Sequence, residues 1–379
     1  MQKLKIGILG TRGIPNHYGG FEQFAEHLSV DLVQKGHEVS VYNSSLHPFM
    51  ENEWKGVQII RCKDMEDKLG TAGQFVYDWN CINDSRKRNF DVLLHLGYTS
   101  DSVWHWHWPK HTVNIVNMDG MEWQRTKYSK PVKFFLKWAE SLAAKHAGKM
   151  IADSPGMQEY LFSKYKKEPT FIPYGAETFE NPDSSVIFKY SVLPHQYFLV
   201  IARMEPENNI EMIIQGYLAS HHQFPLLIIG NITNKYGKYL TSTYKQPSIH
   251  FTEAIYDQAE LDNLRYFSAL YFHGHSVGGT NPSLLEAMAC RCRIAAHNNR
   301  FNRAVLQQEA DYFPTSSEIS RIINTPKPAI VVQQWKEINL ERINTIYAPE
   351  RIADAYENLM LQACGKKKLV ILPAAAVVV

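Results

Sequence analysis

Short apolar runs alternate along this chain with longer segments in which apolar residues return every three or four positions. The first run, over residues 5–9, predicts a buried strand. A glycine-rich loop comes next, then a helical pattern over 21–34 that Gly36 ends. Further strands are expected over 37–42, 57–61, 92–96, 112–117 and 149–152, with helices between most of them. The clearest helical period covers 132–147, carried by Phe134, Phe135, Trp138 and Leu142. Such alternation predicts a parallel sheet with helices on both faces.

After a polar, proline-containing stretch that runs to Pro194 the rhythm restarts. Strands are expected over 197–202, 226–229, 269–272 and 294–296, and helices over 210–220 and 282–290. The pattern predicts an α/β chain of two doubly wound, Rossmann-like domains joined near 174–194. Ligands of such sheets bind at the carboxyl ends of the strands, so a cleft between the domains is the default site. The expected boundaries are 1–175, 176–345, a C-terminal helix over 346–365 that crosses back to the first domain, and a compositionally odd tail, 366–379.

Composition narrows the class. A length of 379 residues points to two or three domains, and 45% apolar with 21% charged residues is ordinary for a globular protein. Forty basic against 38 acidic residues provide no global field to draw the chain to nucleic acid. Five cysteines without a CxxC pair argue for reduced thiols rather than a disulfide framework or a zinc site. No secretory leader is recognised at the start, and no apolar stretch nears the roughly 20 residues that cross a bilayer. The expectation is a cytoplasmic chain, neither exported nor membrane-spanning.

Three segments carry candidate chemistry. Gly10-Thr-Arg-Gly-Ile-Pro-Asn-His-Tyr-Gly-Gly-Phe-Glu22 lies between the first strand and the first helix. Its glycines free the backbone for close ligand approach, and the helix start favours an anion; the alternative is a plain turn. It matches neither a P-loop nor GxGxxG. His275-Ser-Val-Gly-Gly-Thr-Asn-Pro-Ser-Leu-Leu-Glu286 comes after a strand and opens a helix at Pro282. There Gly278, Gly279 and Thr280 can offer backbone N–H groups to a phosphate, and Glu286 can accept from sugar hydroxyls unless it lines a solvated face. Ala202-Arg-Met-Glu-Pro-Glu-Asn-Asn209 places Arg203 at a strand's end, where its fork suits a diphosphate.

Together these segments resemble retaining nucleotide-sugar glycosyltransferases of family 4. Gly19-Gly20 with Gly36-His37-Glu38-Val39, Ala-Asp-Ser at 152–154, Ile-Pro-Tyr-Gly at 172–175 and Glu-Ala-Met-Ala at 286–289 occur in the family's order. The narrower strings at 10–15, 18–22 and 278–286 look like the subgroup of bacterial β-1,4-rhamnosyltransferases of polysaccharide assembly. The resemblance implies a GT-B architecture, with an acceptor-side first domain and a nucleotide-sugar-binding second domain. It assigns Gly19, Gly20, Arg203, Tyr256, Gly278, Gly279, Thr280, Asn281 and Glu286 to the donor. Two departures stand out: the family's first glutamate of Glu-x7-Glu falls on Gly278, and its diphosphate lysine falls on Asn208. A sugar without a 6-hydroxyl, such as rhamnose, needs fewer polar partners.

By the same resemblance Asp119, in Asn117-Met-Asp-Gly-Met-Glu-Trp-Gln-Arg125, takes the place of a catalytic-site histidine. A carboxylate there can orient the acceptor hydroxyl or stabilise oxocarbenium-like charge. The alternative is an Asp-Gly turn whose succeeding residues are capped by Asp119, with Glu122 paired to Arg125. His105 and His107, in Trp104-His-Trp106-His-Trp108, lack a third ligand and predict an acceptor-side aromatic surface, not a metal centre. No Asp-x-Asp is present, which fits the metal-independent transfer that the resemblance implies.

Between Arg125 and Lys167 ten basic residues face three acidic ones. Lys133 and Lys137 beside Phe and Trp suit an anionic membrane; the alternative is a solvated helix whose aromatics enter the core. The expected activity is transfer of L-rhamnose from dTDP-L-rhamnose to a lipid-diphosphate-linked saccharide, on the cytoplasmic face of a membrane. A UDP-sugar donor, or a catalytically silent nucleotide-sugar-binding protein, are the other readings.

Overall fold

The computed structural model describes residues 3–17, 19–125, 128–221 and 224–366. Tyr18 of the first loop, and the expected tail beyond Lys366, lie outside these. The chain divides into two compact units. The first holds the residues up to Trp123, Ser129–Tyr174, and those from Pro349 on. The second holds Gln124–Tyr128 and Gly175–Ala348.

The first unit is an eight-stranded sheet: β1 (Lys5–Leu9), β2 (Glu38–Ser44), β3 (Glu53–Trp54), β4 (Val57–Cys62), β5 (Val92–Leu96), β6 (Val113–Asn117), β7 (Lys149–Ala152) and β8 (Thr170–Phe171). Their order is β3-β4-β2-β1-β5-β6-β7-β8, and every neighbour is parallel except β3 against β4. Successive residues of one strand serve opposite cores. Ile6, Ile8, Val39, Val41, Val92 and Leu94 pack on one face, while Leu9, Tyr42, Ile60 and Leu93 pack on the other with Tyr77 and Phe90. Burial on both faces is why these strands read as continuous apolar runs.

The chain returns to this unit as the helix Pro349–Ala363. Ile352, Ala353, Tyr356, Leu359 and Met360 form one helical stripe and enter the first core. Asn117 donates to the Tyr356 hydroxyl at 2.9 Å, and His37 Nε2 lies 3.2 Å from Glu357.

The second unit is an all-parallel sheet of β9 (Phe198–Ile201), β10 (Leu226–Ile229), β11 (Ile249–Thr252), β12 (Leu270–His273), β13 (Ile294–His297) and β14 (Asp311–Phe313), ordered β11-β10-β9-β12-β13-β14. In each sheet the order reverses once, between β1 and β5 and between β9 and β12. Loops leaving adjacent strands at such a point part to opposite faces and leave a crevice at the carboxyl ends.

The helix Lys130–His146 corrects one alternative. It buries Leu136, Ala139, Glu140, Ala143 and Ala144. Its aromatics do not all enter the core: Phe134 is 76% and Trp138 47% exposed. Buried Glu140 accepts from Trp123 Nε1 (3.0 Å), the Tyr160 and Tyr165 hydroxyls (2.8 and 2.7 Å) and Lys164 Nζ (2.8 Å). Four donors satisfy a carboxylate that burial alone would not tolerate.

Candidate functional site

Two loops meet at the reversal point of the second sheet. One leaves β9 and carries Arg203; the other leaves β12 and runs from Gly274 to Asn281. Side chains stitch them together. The Ser276 N–H and hydroxyl both donate to the Glu207 carbonyl, at 3.1 and 2.7 Å, and Asn209 donates to the Gly274 carbonyl at 2.7 Å. Asn299 and Asn302, at the start of the helix Arg300–Leu306, donate to the His275 carbonyl at 2.9 and 3.0 Å. A Cβ on Gly274 would collide with the Asn208 carbonyl oxygen, so the close approach needs glycine.

Arg203 is exposed, and among the described residues its guanidinium has no ion-pair partner. Asn208 is buried and donates to the Arg203 carbonyl at 2.7 Å. Asn208 therefore shapes the loop and brings no charge. Gly278 has φ +126°, a conformation that L side chains rarely adopt. A glutamate at this position would be strained by that backbone. Gly279 and Asn281 are half-buried beside it and Thr280 is buried. The Asn281 side chain caps the helix Pro282–Ala289 by accepting from Ser283 N–H at 3.0 Å.

Glu286 is half-buried and does not line a solvated face. Arg265, 1% exposed, binds its Oε2 and also donates to Asp262 at 2.9 Å. Tyr256 is 75% exposed on the loop after β11.

In the first unit the glycine-rich loop leaves β1 at the other reversal point. The space where a Cβ of Gly20 would lie is open among the described residues. The helix Gly20–Gln34 folds two carboxylates back onto the loop. Glu22 accepts the Arg12 N–H at 2.9 Å and Glu26 the Asn16 N–H at 2.6 Å. The anion expected at this helix start is thus partly supplied from within.

Asp119 lies just beyond β6 with φ +48°. Its N–H donates to Asn117 Oδ1 at 3.0 Å, and its carboxylate accepts from the Tyr174 hydroxyl at 3.4 Å. Burial first, and Asp119 second, push the Tyr174 phenol pKa up. The turn is real in its backbone, but among the described residues the Asp119 carboxylate caps none of the backbone N–H groups that come next. Arg125 Nη1 lies 3.5 Å from Glu205 Oε2.

His105 and His107 sit on the 3₁₀ turn Ser102–His107, where His105 stacks on His146 (4.0 Å) and His107 on Trp79 (4.5 Å). Trp104 and Trp106 pack on the same Trp79, at 4.8 and 5.6 Å. Trp104 is half-buried and Trp106 59% exposed. Lys133 is half-buried, and Lys137, exposed, lies over the Trp123 ring at 4.2 Å. Among the described residues no cluster of His, Cys, Asp or Glu is placed to hold a metal ion, and no helix is long and apolar enough to cross a membrane.

A family described as a domain of unknown function, DUF1972, matches residues 3–177. No curated protein matches the chain in sequence. Among solved structures, sucrose-phosphate synthase from Thermosynechococcus elongatus superposes with TM-score 0.78 at 16% identity, covering 97% of this chain and 100% of that one. HepE of Anabaena, in complex with UDP and glucose, gives 0.73 at 14% identity over 95% and 100%. WaaG, a glycosyltransferase involved in lipopolysaccharide biosynthesis, gives 0.68 at 14% over 92% and 98%. The fold is GT-B, a two-domain α/β architecture built on parallel sheets.

Proposed function

We propose that this chain is a retaining, metal-independent glycosyltransferase that takes a sugar from a nucleoside diphosphate. The donor proposed is dTDP-L-rhamnose, and the acceptor a lipid-diphosphate-linked saccharide at the cytoplasmic face of a membrane. One observation carries the reading. An exposed arginine, without an ion-pair partner among the described residues, stands at the carboxyl end of β9, on a loop stitched to the Gly274–Asn281 loop at the sheet's reversal point. That is where doubly wound sheets hold phosphates, and a guanidinium fork suits a diphosphate. The fold supports the class, and the strings at 10–15 and 278–286 favour rhamnose. A second reading, a UDP-sugar donor, draws on the complex of HepE with UDP-glucose.

Calorimetric titration with dTDP, UDP and GDP tests the site. Wild type is expected to bind dTDP most tightly, and Arg203→Ala to lose about 10–100-fold, the worth of a charge-assisted hydrogen bond. Rhamnosyl transfer is expected to survive excess EDTA. Binding of none of the three nucleotides would end this reading; binding without transfer would favour the silent sensor.

The membrane contact rests on the helix Lys130–His146. Lys130, Phe134 and Trp138 share a face at i, i+4 and i+8, with Lys133 and Lys137 beside them. Each basic residue near an anionic bilayer contributes about 1 kcal/mol, and the two rings add apolar area. Phe134→Ser with Trp138→Ser should release the protein from phosphatidylglycerol vesicles in sedimentation. Undiminished binding would remove this face from the proposal.

A further inference from the structure

We propose that His275 is a further diphosphate-binding residue of the donor site, donating from its Nε2 to a phosphate oxygen beside Arg203. The inference rests on the donor reading above and adds a neutral donor to the arginine. The chain on both sides of His275 is tied to the loop that carries Arg203. Before it, the Gly274 carbonyl accepts from Asn209 at 2.7 Å; after it, the Ser276 N–H and hydroxyl donate to the Glu207 carbonyl at 3.1 and 2.7 Å. The His275 carbonyl itself is taken by Asn299 and Asn302, at 2.9 and 3.0 Å. Three consecutive residues are thus clamped, which fixes where the imidazole projects before any ligand arrives.

The ring stacks on His273, with centroids 4.4 Å apart and planes 17° from parallel. His273 is fully buried and neither of its nitrogens has a hydrogen-bond partner among the described residues, so stacking alone sets the plane of His275. His275 Nδ1 is likewise sealed from solvent without a partner, whereas the residue as a whole is only half-buried. That leaves Nε2 as the nitrogen that can meet a ligand. A neutral imidazole carries one proton, and on the sealed Nδ1 it would be a buried donor without an acceptor. The tautomer protonated at Nε2 avoids that cost. Burial first, then Arg203 and Arg125, lower the His275 pKa to about 3, with Glu205 opposing them, so the ring brings a donor and no charge. Phosphate oxygens only accept, and the Arg203 fork is suited to hold them. An N–H fixed beside that fork adds one directed hydrogen bond to the same anion.

The full-length protein is titrated with dTDP, and its melting temperature is taken without ligand. His275→Phe keeps a ring to stack on His273 and removes both nitrogens. It should weaken dTDP about tenfold or more and melt no lower than wild type, because carbon takes the place of an unpartnered buried nitrogen. His275→Gln loses the stack but can bring an amide N–H near the position of Nε2, so it should bind dTDP more tightly than His275→Phe. A ring that served packing alone would give the reverse order. Wild-type dTDP affinity in His275→Phe would overturn the assignment. So would a His275→Gln variant that binds no better than His275→Phe, or a loss of affinity in His275→Phe matched by a lower melting temperature. Failure of the wild type to bind dTDP, UDP or GDP would overturn the donor reading itself.

Discussion

Replacing Arg265 with methionine should lower the stability of the second unit by about 3–5 kcal/mol, the usual result of removing one partner from a buried ion pair. The side chain is 1% exposed and bridges Asp262 on its own helix to Glu286 on the neighbouring one. Burial disfavours its charge, but coulombic attraction led by Glu286 outweighs that penalty and keeps the guanidinium protonated. Its carbonyl is also occupied, accepting the Ser268 hydroxyl at 2.7 Å. Methionine fills much of the volume but removes the guanidinium that the two half-shielded carboxylates share. The helix Pro282–Ala289 would lose the contact that orients Glu286, so nucleotide affinity should fall as well. Chemical unfolding monitored by circular dichroism measures the first effect and calorimetry the second. An unfolding midpoint equal to wild type would mean that Arg265 is dispensable to the fold.

Arg265 also illustrates what the sequence conceals. Strands β1, β5, β7 and β10 coincide with their predicted spans because each is an apolar run buried on both faces. The strands that escaped prediction are short or mixed. β3 and β8 have two residues each, β14 has three, and β11 interleaves His250 and Thr252 with Ile249 and Phe251. Arg203 and Gly278 could be singled out because their significance is local: a cation after a strand, a glycine opening a helix. The partners of Glu286, Glu22 and Arg125 lie 21, 10 and 80 residues away. No periodicity links such pairs, and only the folded chain brings them together. Asn208 shows the same limit from the other side. As a letter it is a missing lysine; in the fold it is a buried amide that closes the Arg203 loop.

Asp119→Asn should slow transfer by about 10²–10⁴-fold, the range for loss of a group that acts as acid or base, while nucleotide affinity stays near wild type. The residue belongs to the first unit, whereas Arg203, Glu286 and the Gly274–Asn281 loop belong to the second. Its backbone is left-handed, at φ +48°, a conformation that Asn accepts as readily as Asp. Its N–H keeps the bond to Asn117, and the remaining amide oxygen can still accept from Tyr174. Turn and fold should therefore persist, with a melting temperature close to that of wild type. What changes is charge. Among the described residues the carboxylate's one side-chain hydrogen bond is to a hydroxyl 3.4 Å away. It has capacity left to align an acceptor hydroxyl or offset positive charge on a sugar ring, and an amide has not. Transfer rate, dTDP affinity and melting temperature of the variant, measured together, separate the roles. A variant that turns over at the wild-type rate would leave Asp119 with the turn alone, since the substitution removes the carboxylate's charge and little else.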